Sequence, residues 1–404
     1  MKFNWIVFLF LVSLPFAAYP ASWTATGLMS TARGGGHTAI LLQSGKVLVA
    51  GGSNGGSILA TAEIYDPANG IWTATGAMSQ ARTYGTATLL PNGKVLVAGG
   101  RNKDNLSLAS SEVYDPITET WATTHGPMNQ ARGFGTATLL PNGKVLVTGG
   151  SVTPEFFSGI TSAELYNPST GTWTVTGAMV GGRSLHTAHM LSNGKVLVVA
   201  GFNNTSLASA ELYDPATGTW SATGALAQAR SLEPAALLPD GKVLVASGYV
   251  RSCNCVTASV EVYDPASGTW STIAPISNAR HWITGVTLSD GKVLVAGGNG
   301  DSGFIAIAEV YDPVNRTWIT SGSMVTPRRG YTATLLPNGR VLIAGGNNGE
   351  VSLATAELYT PDNTCSDEIA VKPYTFTAGT PAKAAEINAN FDVLYQRVNT
   401  PRCQ

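Results

Sequence analysis

The chain has 404 residues, 44% of them hydrophobic and only 12% charged, about half the usual charged share of roughly 25%. Its 24 basic and 25 acidic residues leave a formal charge of −1, which excludes the basic face or stripe of a nucleic-acid binder. The apolar content excludes a disordered chain, and the abundant Gly, Thr, Ser and Asn suit strands and turns better than helix.

The chain opens with Lys2, an apolar run of ten from Trp5 to Leu14, and small residues at Ala17, Ala18 and Ala21. Ten residues are too few to span a bilayer as a helix. The pattern is that of a secretory signal peptide over residues 1–21. The expectation is an exported chain, whether secreted, periplasmic or at the cell surface, with no integral membrane span after cleavage. No later run reaches 18 apolar residues.

A repeat of about 49 residues follows. Trp recurs at Trp23, Trp72, Trp121, Trp173, Trp220, Trp270 and Trp318. After each comes a Met, Leu or Ile four residues ahead of an Arg: Arg33, Arg82, Arg132, Arg183, Arg230, Arg280 and Arg328. Then come a strand-like segment such as Thr86 to Leu90, a turn Pro91-Asn92-Gly93-Lys94, and an apolar run Val95 to Ala98 closed by Gly99-Gly100. A variable loop leads to a Glu-x-Tyr strand, carrying Glu63, Glu112, Glu164, Glu211, Glu261, Glu309 or Glu357. Asn-Gly between apolar runs signals a hairpin, because the tight turn needs positive φ at its centre. A continuous Val-Leu-Val run fits a strand buried on both faces. Each unit therefore holds four short strands, which bury their faces only by stacking on copies of themselves.

The Gly-Gly doublet, the Tyr-Asp-Pro stretch, the Trp and the Arg ahead of the first strand resemble the kelch repeat, over about residues 22–361. The resemblance implies a β-propeller and leaves function open. Departures are Ala200-Gly201, Ser247-Gly248 and Tyr359-Thr360-Pro361. The first Trp strand has no Glu strand before it, and the last Glu strand has no Trp strand after it. Pairing them completes a seventh blade and closes the ring without a long open edge. The predicted fold is all-β: a seven-bladed kelch-type propeller over 22–361, closed by its N-terminal strand.

Seven Arg, seven Glu, seven Lys or Arg after the turn Gly (Lys46 to Arg340) and five Asp of Tyr-Asp-Pro make up more than half of the charge. Two readings of the Arg stand. They pair with the repeat Glu or with loop carbonyls, or they form a ring of guanidiniums around the channel mouth. Function is expected where the sevenfold pattern breaks, on the face that bears Arg and the post-Gly-Gly loops, where kelch domains bind partners by resemblance. The candidate ligand residues there are Arg183, His186, Arg230, Glu233, Arg280, His281, Trp282, Arg329, Tyr331, Tyr249 and Arg251. Phe156, Phe157, Phe202 and Phe304 add aromatic loop positions. A polar cup with aromatic walls suits a glycan or a peptide.

No Gly-x-Ser-x-Gly elbow and no phosphate loop occurs. His186 and His189 are three apart on a predicted strand, so they point to opposite faces. Asp301 in a Gly-rich turn is one carboxylate, too few for Ca²⁺. No metal and no cofactor is expected. Among kelch relatives, the copper oxidases need a Tyr–Cys cross-link and a His pair, whereas all four cysteines here lie at 253 or later. Sialic-acid mutarotases need a few acid, base and Arg groups, for which Glu233, His186 and Arg183 are the candidates.

Beyond Pro361 the composition shifts. Ala384, Ile387, Phe391, Leu394 and Val398 form one apolar stripe, predicting an amphipathic helix in the tail 362–404. Part of the tail resembles segments of phage tail-fibre and bacterial surface proteins. The helix docks on the propeller or makes a homo-oligomer. A Cys365–Cys403 disulfide is expected, with Cys253 and Cys255 as a local bridge or two thiols. The leading expectation is an exported binding module for a protein or glycan. A sugar-modifying enzyme of the mutarotase type and a structural component of the cell surface are the alternatives.

Overall fold

The computed structural model describes residues 20–152 and 158–362; the signal segment, Phe156, Phe157, the tail helix and the expected Cys365–Cys403 pair lie outside these residues. Within Ser22–Thr360, seven four-stranded antiparallel sheets stand as blades around a central channel. Blade one is Gly35–Leu41, Val47–Asn54, Ala62–Asp66 and Ile71–Thr75, in that order from the channel outwards. The innermost strands of the next six are Thr86–Leu89, Thr136–Leu139, Thr187–Met190, Ala235–Leu237, Gly285–Thr287 and Thr332–Leu335. Neighbouring innermost strands lie side by side right around the ring. Among the described residues no helix is long and apolar enough to cross a membrane.

The local chemistry explains the strand order. Gly93 takes φ 79° at the hairpin tip, and Asn92 Oδ1 accepts the Lys94 N–H at 3.1 Å. In the outer turn Asp66 Oδ1 accepts the Ala68 N–H at 3.0 Å. The apolar run that opens the second strand of every blade is buried, as in Val95–Ala98. The core lies between blades. Leu90, Leu96 and Ala98 of blade two meet Val145, Val147 and Tyr166 of blade three, with Met128 filling the gap. The equivalent Met29, Met78, Met179, Leu226, Ile276 and Met324 are buried in the same way.

The seventh blade takes its outer strand from the N-terminus: Ser22–Ala25 pairs antiparallel with Ala356–Thr360, setting Trp23 opposite Tyr359. The ring centroids of that pair are 5.1 Å apart, matching Tyr114–Trp121 at 5.0 Å and Tyr263–Trp270 at 5.1 Å. The borrowed strand is therefore an ordinary outer strand. Outer strands also stitch blades together. The Tyr114 hydroxyl bonds Thr75 at 2.6 Å, and the Trp121 indole N–H donates to the Gly76 carbonyl at 2.7 Å. A chain lacking residues 1–28 should melt at least several degrees below the full chain. Equal melting curves would rule out closure by this strand.

Candidate functional site at the channel mouth

The seven repeat Arg lie inside the blades. Each is at most 2% exposed. Arg183 is typical. Its Nη1 donates to the Ala200 and Ser209 carbonyls at 2.9 and 2.8 Å. Its Nη2 donates to the Ser209 hydroxyl at 3.1 Å and to Glu211 Oε1 at 2.8 Å. Glu211 also accepts the backbone N–H groups of Val180 and Gly181 at 2.7 and 3.0 Å. Every other Arg makes the same pair: Arg33–Glu63, Arg82–Glu112, Arg132–Glu164, Arg230–Glu261, Arg280–Glu309 and Arg328–Glu357. The Gly-Gly doublet belongs to this clamp. Gly100 N–H donates to the Arg132 carbonyl of the next blade at 2.8 Å, and Gly346 to Arg33 at 2.8 Å carries the link across the ring closure. A Cβ on Gly99 would stand 2.4 Å from the Arg132 carbonyl oxygen. Ala200 and Ser247, which replace the first glycine, keep the left-handed backbone, with φ 59° and 56°.

Two residues beyond the clamp the chain turns left-handed at the channel. Tyr84, Phe134, Leu185, Leu232 and Trp282 have φ between 53° and 60°, a costly conformation for bulky side chains. Gly330 fills the position in blade seven and Gly36, one residue later after Arg33 because blade one carries an extra residue, fills it in blade one, with φ 63° and 65°. The strain is shared by a relay of backbone bonds from blade to blade. Tyr84 N–H donates to Gly36, Phe134 to Tyr84, Leu185 to Phe134, Leu232 to Leu185, Trp282 to Leu232 and Gly330 to Trp282, over 2.7 to 3.3 Å. The turn swings five large side chains over the mouth. Tyr84 stacks on Phe134 at 4.2 Å and meets Trp282 across the channel at 5.9 Å. The result is an aromatic floor, and a cavity of about 310 Å³ is lined by this ring and by the layer of side chains next to it.

That layer contains His37, His186, Glu233 and Tyr331, all buried. Three of them bond the preceding blade. His37 Nε2 donates to the Ala344 carbonyl at 3.0 Å, His186 Nε2 bonds the Thr136 hydroxyl at 3.0 Å, and the Tyr331 hydroxyl donates to the Ala296 carbonyl. Burial drives His37 down to about 4 and His186 to about 3, and it raises the Tyr331 phenol. Glu233 differs. Neither of its carboxyl oxygens has a hydrogen-bond partner among the described residues. Burial lifts it to about 8, against the pull of its own backbone N–H, Arg230, Arg183 and the nearby Thr187 hydroxyl.

Around the floor stand three small hairpins: Phe202–Asn203 with Thr205–Ser206, Tyr249–Val250 with Cys255–Val256, and Asn299–Gly300 with Gly303–Phe304. Ser206 Oγ accepts the Arg251 N–H at 3.0 Å, and Asp301 Oδ1 accepts the Val256 N–H at 3.1 Å. The hairpins thus form one wall. Within it the Tyr249 ring meets His281 edge-on at 5.6 Å, and the half-buried Arg329 lies over Phe304 at 5.1 Å. The Tyr84 phenol is raised by burial and eased back by Arg329 and Arg101, which places both cations beside the floor.

A family model, the KLHDC2/KLHL20/DRC7 Kelch-repeats domain, matches residues 36–237, and the Kelch motif matches 232–277 and 284–325. The chain belongs to the kelch-repeat propeller family. A solved structure described as a novel fungal alcohol oxidase with catalytic diversity among the AA5 family, in complex with copper, superposes with a TM-score of 0.68 at 19% identity, covering 91% of this chain and 79% of that one. At that identity the likeness is one of fold. No curated protein matches the chain.

In this kelch propeller the candidate ligand residues separate into three groups. His281, Trp282, Arg329, Tyr249 and Arg251 stand at the mouth or in its wall. His186, Glu233 and Tyr331 lie in the buried layer of the cavity. Arg183, Arg230 and Arg280 follow the pairing reading and not the guanidinium ring, which corrects their place among the ligand residues. They are 0% exposed and hold the repeat Glu of their own blades. An acid–base–Arg cluster of Glu233, His186 and Arg183 accordingly loses its carboxylate clamp, because both Arg183 Nη atoms are engaged within the blade and the side chain is 0% exposed. Phe202 is buried at the wall's base, whereas Phe304 is half-buried under Arg329. Arg101 was missed by sequence reasoning. It follows Gly99-Gly100 in blade two, is 1% exposed and lies over Phe134 at 4.7 Å. A second cavity, of about 550 Å³ between blades one and two, is lined by the Asn-Gly and Asp-Pro turns at the other end of the strands. Its Lys46–Asp66 and Lys94–Asp115 pairs, each at 3.0 Å, recur elsewhere as Lys195–Asp214 at 3.3 Å, so it is a repeat feature.

The copper of the oxidase has no matching set here. Cys253 and Cys255 are bonded to each other, which leaves neither for a Tyr–Cys cross-link. Among the described residues no three His, Cys, Asp or Glu side chains converge.

Proposed function

We propose that this kelch propeller is an exported binding module that takes a protein or glycan ligand on its loop face. The observation that carries the reading is the aromatic floor of Tyr84, Phe134 and Trp282, held over the channel by strained backbone. Bulky residues in left-handed turns persist where surrounding structure holds them for a purpose. Rigid aromatic rings give contact area at small entropic cost. Arg329 and Arg251 supply positive charge at the rim, favouring a ligand with an acidic group. The Cys253–Cys255 bridge supports export, since disulfides persist in oxidising compartments.

Glycan and peptide arrays probed with the mature chain test this. Binders found on the array should lose about tenfold or more in affinity with Trp282→Ala and several-fold with Arg329→Ala. Binding that survives both substitutions, or an array on which nothing is retained, would overturn the reading.

A further inference from the structure

Cys253 and Cys255 sit at the tip of the blade-five hairpin, on the rim of the mouth. A bridge that closes so short a loop constrains the unfolded chain least. Cys253 is exposed to solvent, and exposed disulfides are the ones open to thiol attack. Neither property suits a structural staple. The residue between them is Asn254, at φ 52°, and its Oδ1 accepts the Tyr249 hydroxyl at 2.6 Å. Tyr249 in turn meets the His281 ring, and His281 adjoins Trp282 of the floor. Val256, next to Cys255, donates to Asp301 of the neighbouring hairpin. One bond thus fixes the turn that positions a tyrosine of the wall and ties two hairpins together.

We propose that Cys253–Cys255 is a reversible thiol-exchange site, and that opening it releases Tyr249 and reshapes the blade-five wall of the mouth. A small thiolate attacks the exposed Cys253 sulfur. The sulfur–sulfur bond breaks, and its electron pair leaves on Cys255 as a thiolate that takes a proton from water. A second thiolate attacks the mixed disulfide at the small thiol's own sulfur, giving a small-molecule disulfide and the Cys253 thiolate, which is protonated. Two thiols are oxidised and one protein disulfide is reduced. A small disulfide runs the same steps backwards. That the opened wall changes ligand affinity rests on the binding-module reading above; the exchange and the movement do not.

The test uses the full chain equilibrated in glutathione buffers of graded redox poise. Alkylation followed by peptide mapping reads Cys253 and Cys255 apart from Cys365 and Cys403. Trypsin cleavage after Arg251 reads the hairpin. The bridge should open and re-form reversibly, with the melting temperature moving by less than about 5 °C. Cleavage after Arg251 should rise about tenfold on opening. A Cys253→Ser/Cys255→Ser chain should show the fast cleavage at every poise. Asn254→Ala should speed cleavage in the oxidised chain, since it removes the Tyr249 contact and leaves alanine in the left-handed turn. A bridge that stays closed in millimolar dithiothreitol, or one that opens with cleavage unchanged, overturns the proposal. If exchange and cleavage behave as stated but array binding is indifferent to poise, the coupling to affinity fails and the exchange site stands; if the array retains nothing at any poise, the binding-module reading fails and the exchange site stands.

Discussion

Glu211→Ala should cost about 3–5 kcal/mol of stability, seen as a fall of about 5 °C or more in melting temperature. The substitution strands the Arg183 guanidinium, which is 0% exposed, without its 2.8 Å carboxylate partner. A buried charge without a counter-charge is far more costly than the same pair left intact. It also orphans the Val180 and Gly181 N–H groups that Glu211 accepts, each a further cost when buried. Glu211→Gln should cost less, because the amide oxygen still accepts one or two of these donors. Replacing both members, as in Arg183→Met/Glu211→Met, should remain destabilised. The carbonyls of Ala200 and Ser209 would lose the Nη1 donor that joins them. A Glu211→Ala chain that melts within about 1 °C of the parent would refute the clamp. The same logic changes what an Arg183, Arg230 and Arg280 triple substitution tests. It empties three clamps at once, so lost binding in such a chain would report lost fold.

The sequence made the ring legible through repetition. Seven Arg and seven Glu at a near-constant separation are a pairing signal, and the unmatched first Trp strand and last Glu strand announce the closure seen between Ser22–Ala25 and Ala356–Thr360. Within strands, alternation says which side a residue faces. The repeat Arg precede their strands, where no period exists to read, so the choice between clamp and guanidinium ring stayed open. The floor was half visible. Trp282 and Tyr331 stood out as breaks in symmetry, yet Tyr331 lies in the buried layer. Tyr84 and Phe134 follow their repeat Arg by two residues, as Trp282 does, but spacing alone does not show that the three rings converge. A signal existed: Gly330 shares its position with Tyr84, Phe134 and Trp282, and glycine at a repeat position marks positive φ. Arg101 and the hairpin wall carried no such mark, because loops of different length share no register.

The buried titratable groups of the propeller predict an optimum of stability near pH 6.5. Glu233 is raised to about 8 in the folded protein from an ordinary value of 4.5. Between those values the folded chain holds a proton that the unfolded chain has lost. Stability from this group is therefore full below pH 4.5 and declines by about 1.4 kcal/mol per pH unit until about pH 8. The histidines act in the opposite sense. His37, His186, His189 and His281 are lowered by burial from 6.5 to about 4, 3, 4 and 4. Their contribution is present above pH 6.5 and is lost as pH falls, because the unfolded chain binds the protons first. Below pH 6.5 four histidines outweigh one carboxyl, so stability drops steeply into acid. Above pH 6.5 the carboxyl acts alone, and stability drifts down by about 2 kcal/mol to pH 8. Glu233→Gln keeps the shape and removes the charge. Chemical denaturation of that variant should show no decline from pH 6.5 to 8, while the acid limb steepens by about 1.4 kcal/mol per pH unit between pH 6.5 and 4.5. Should the parent and Glu233→Gln lose the same stability over that interval, Glu233 is already ionised in the folded protein, and the unpartnered carboxyl of the channel has a counter-charge after all.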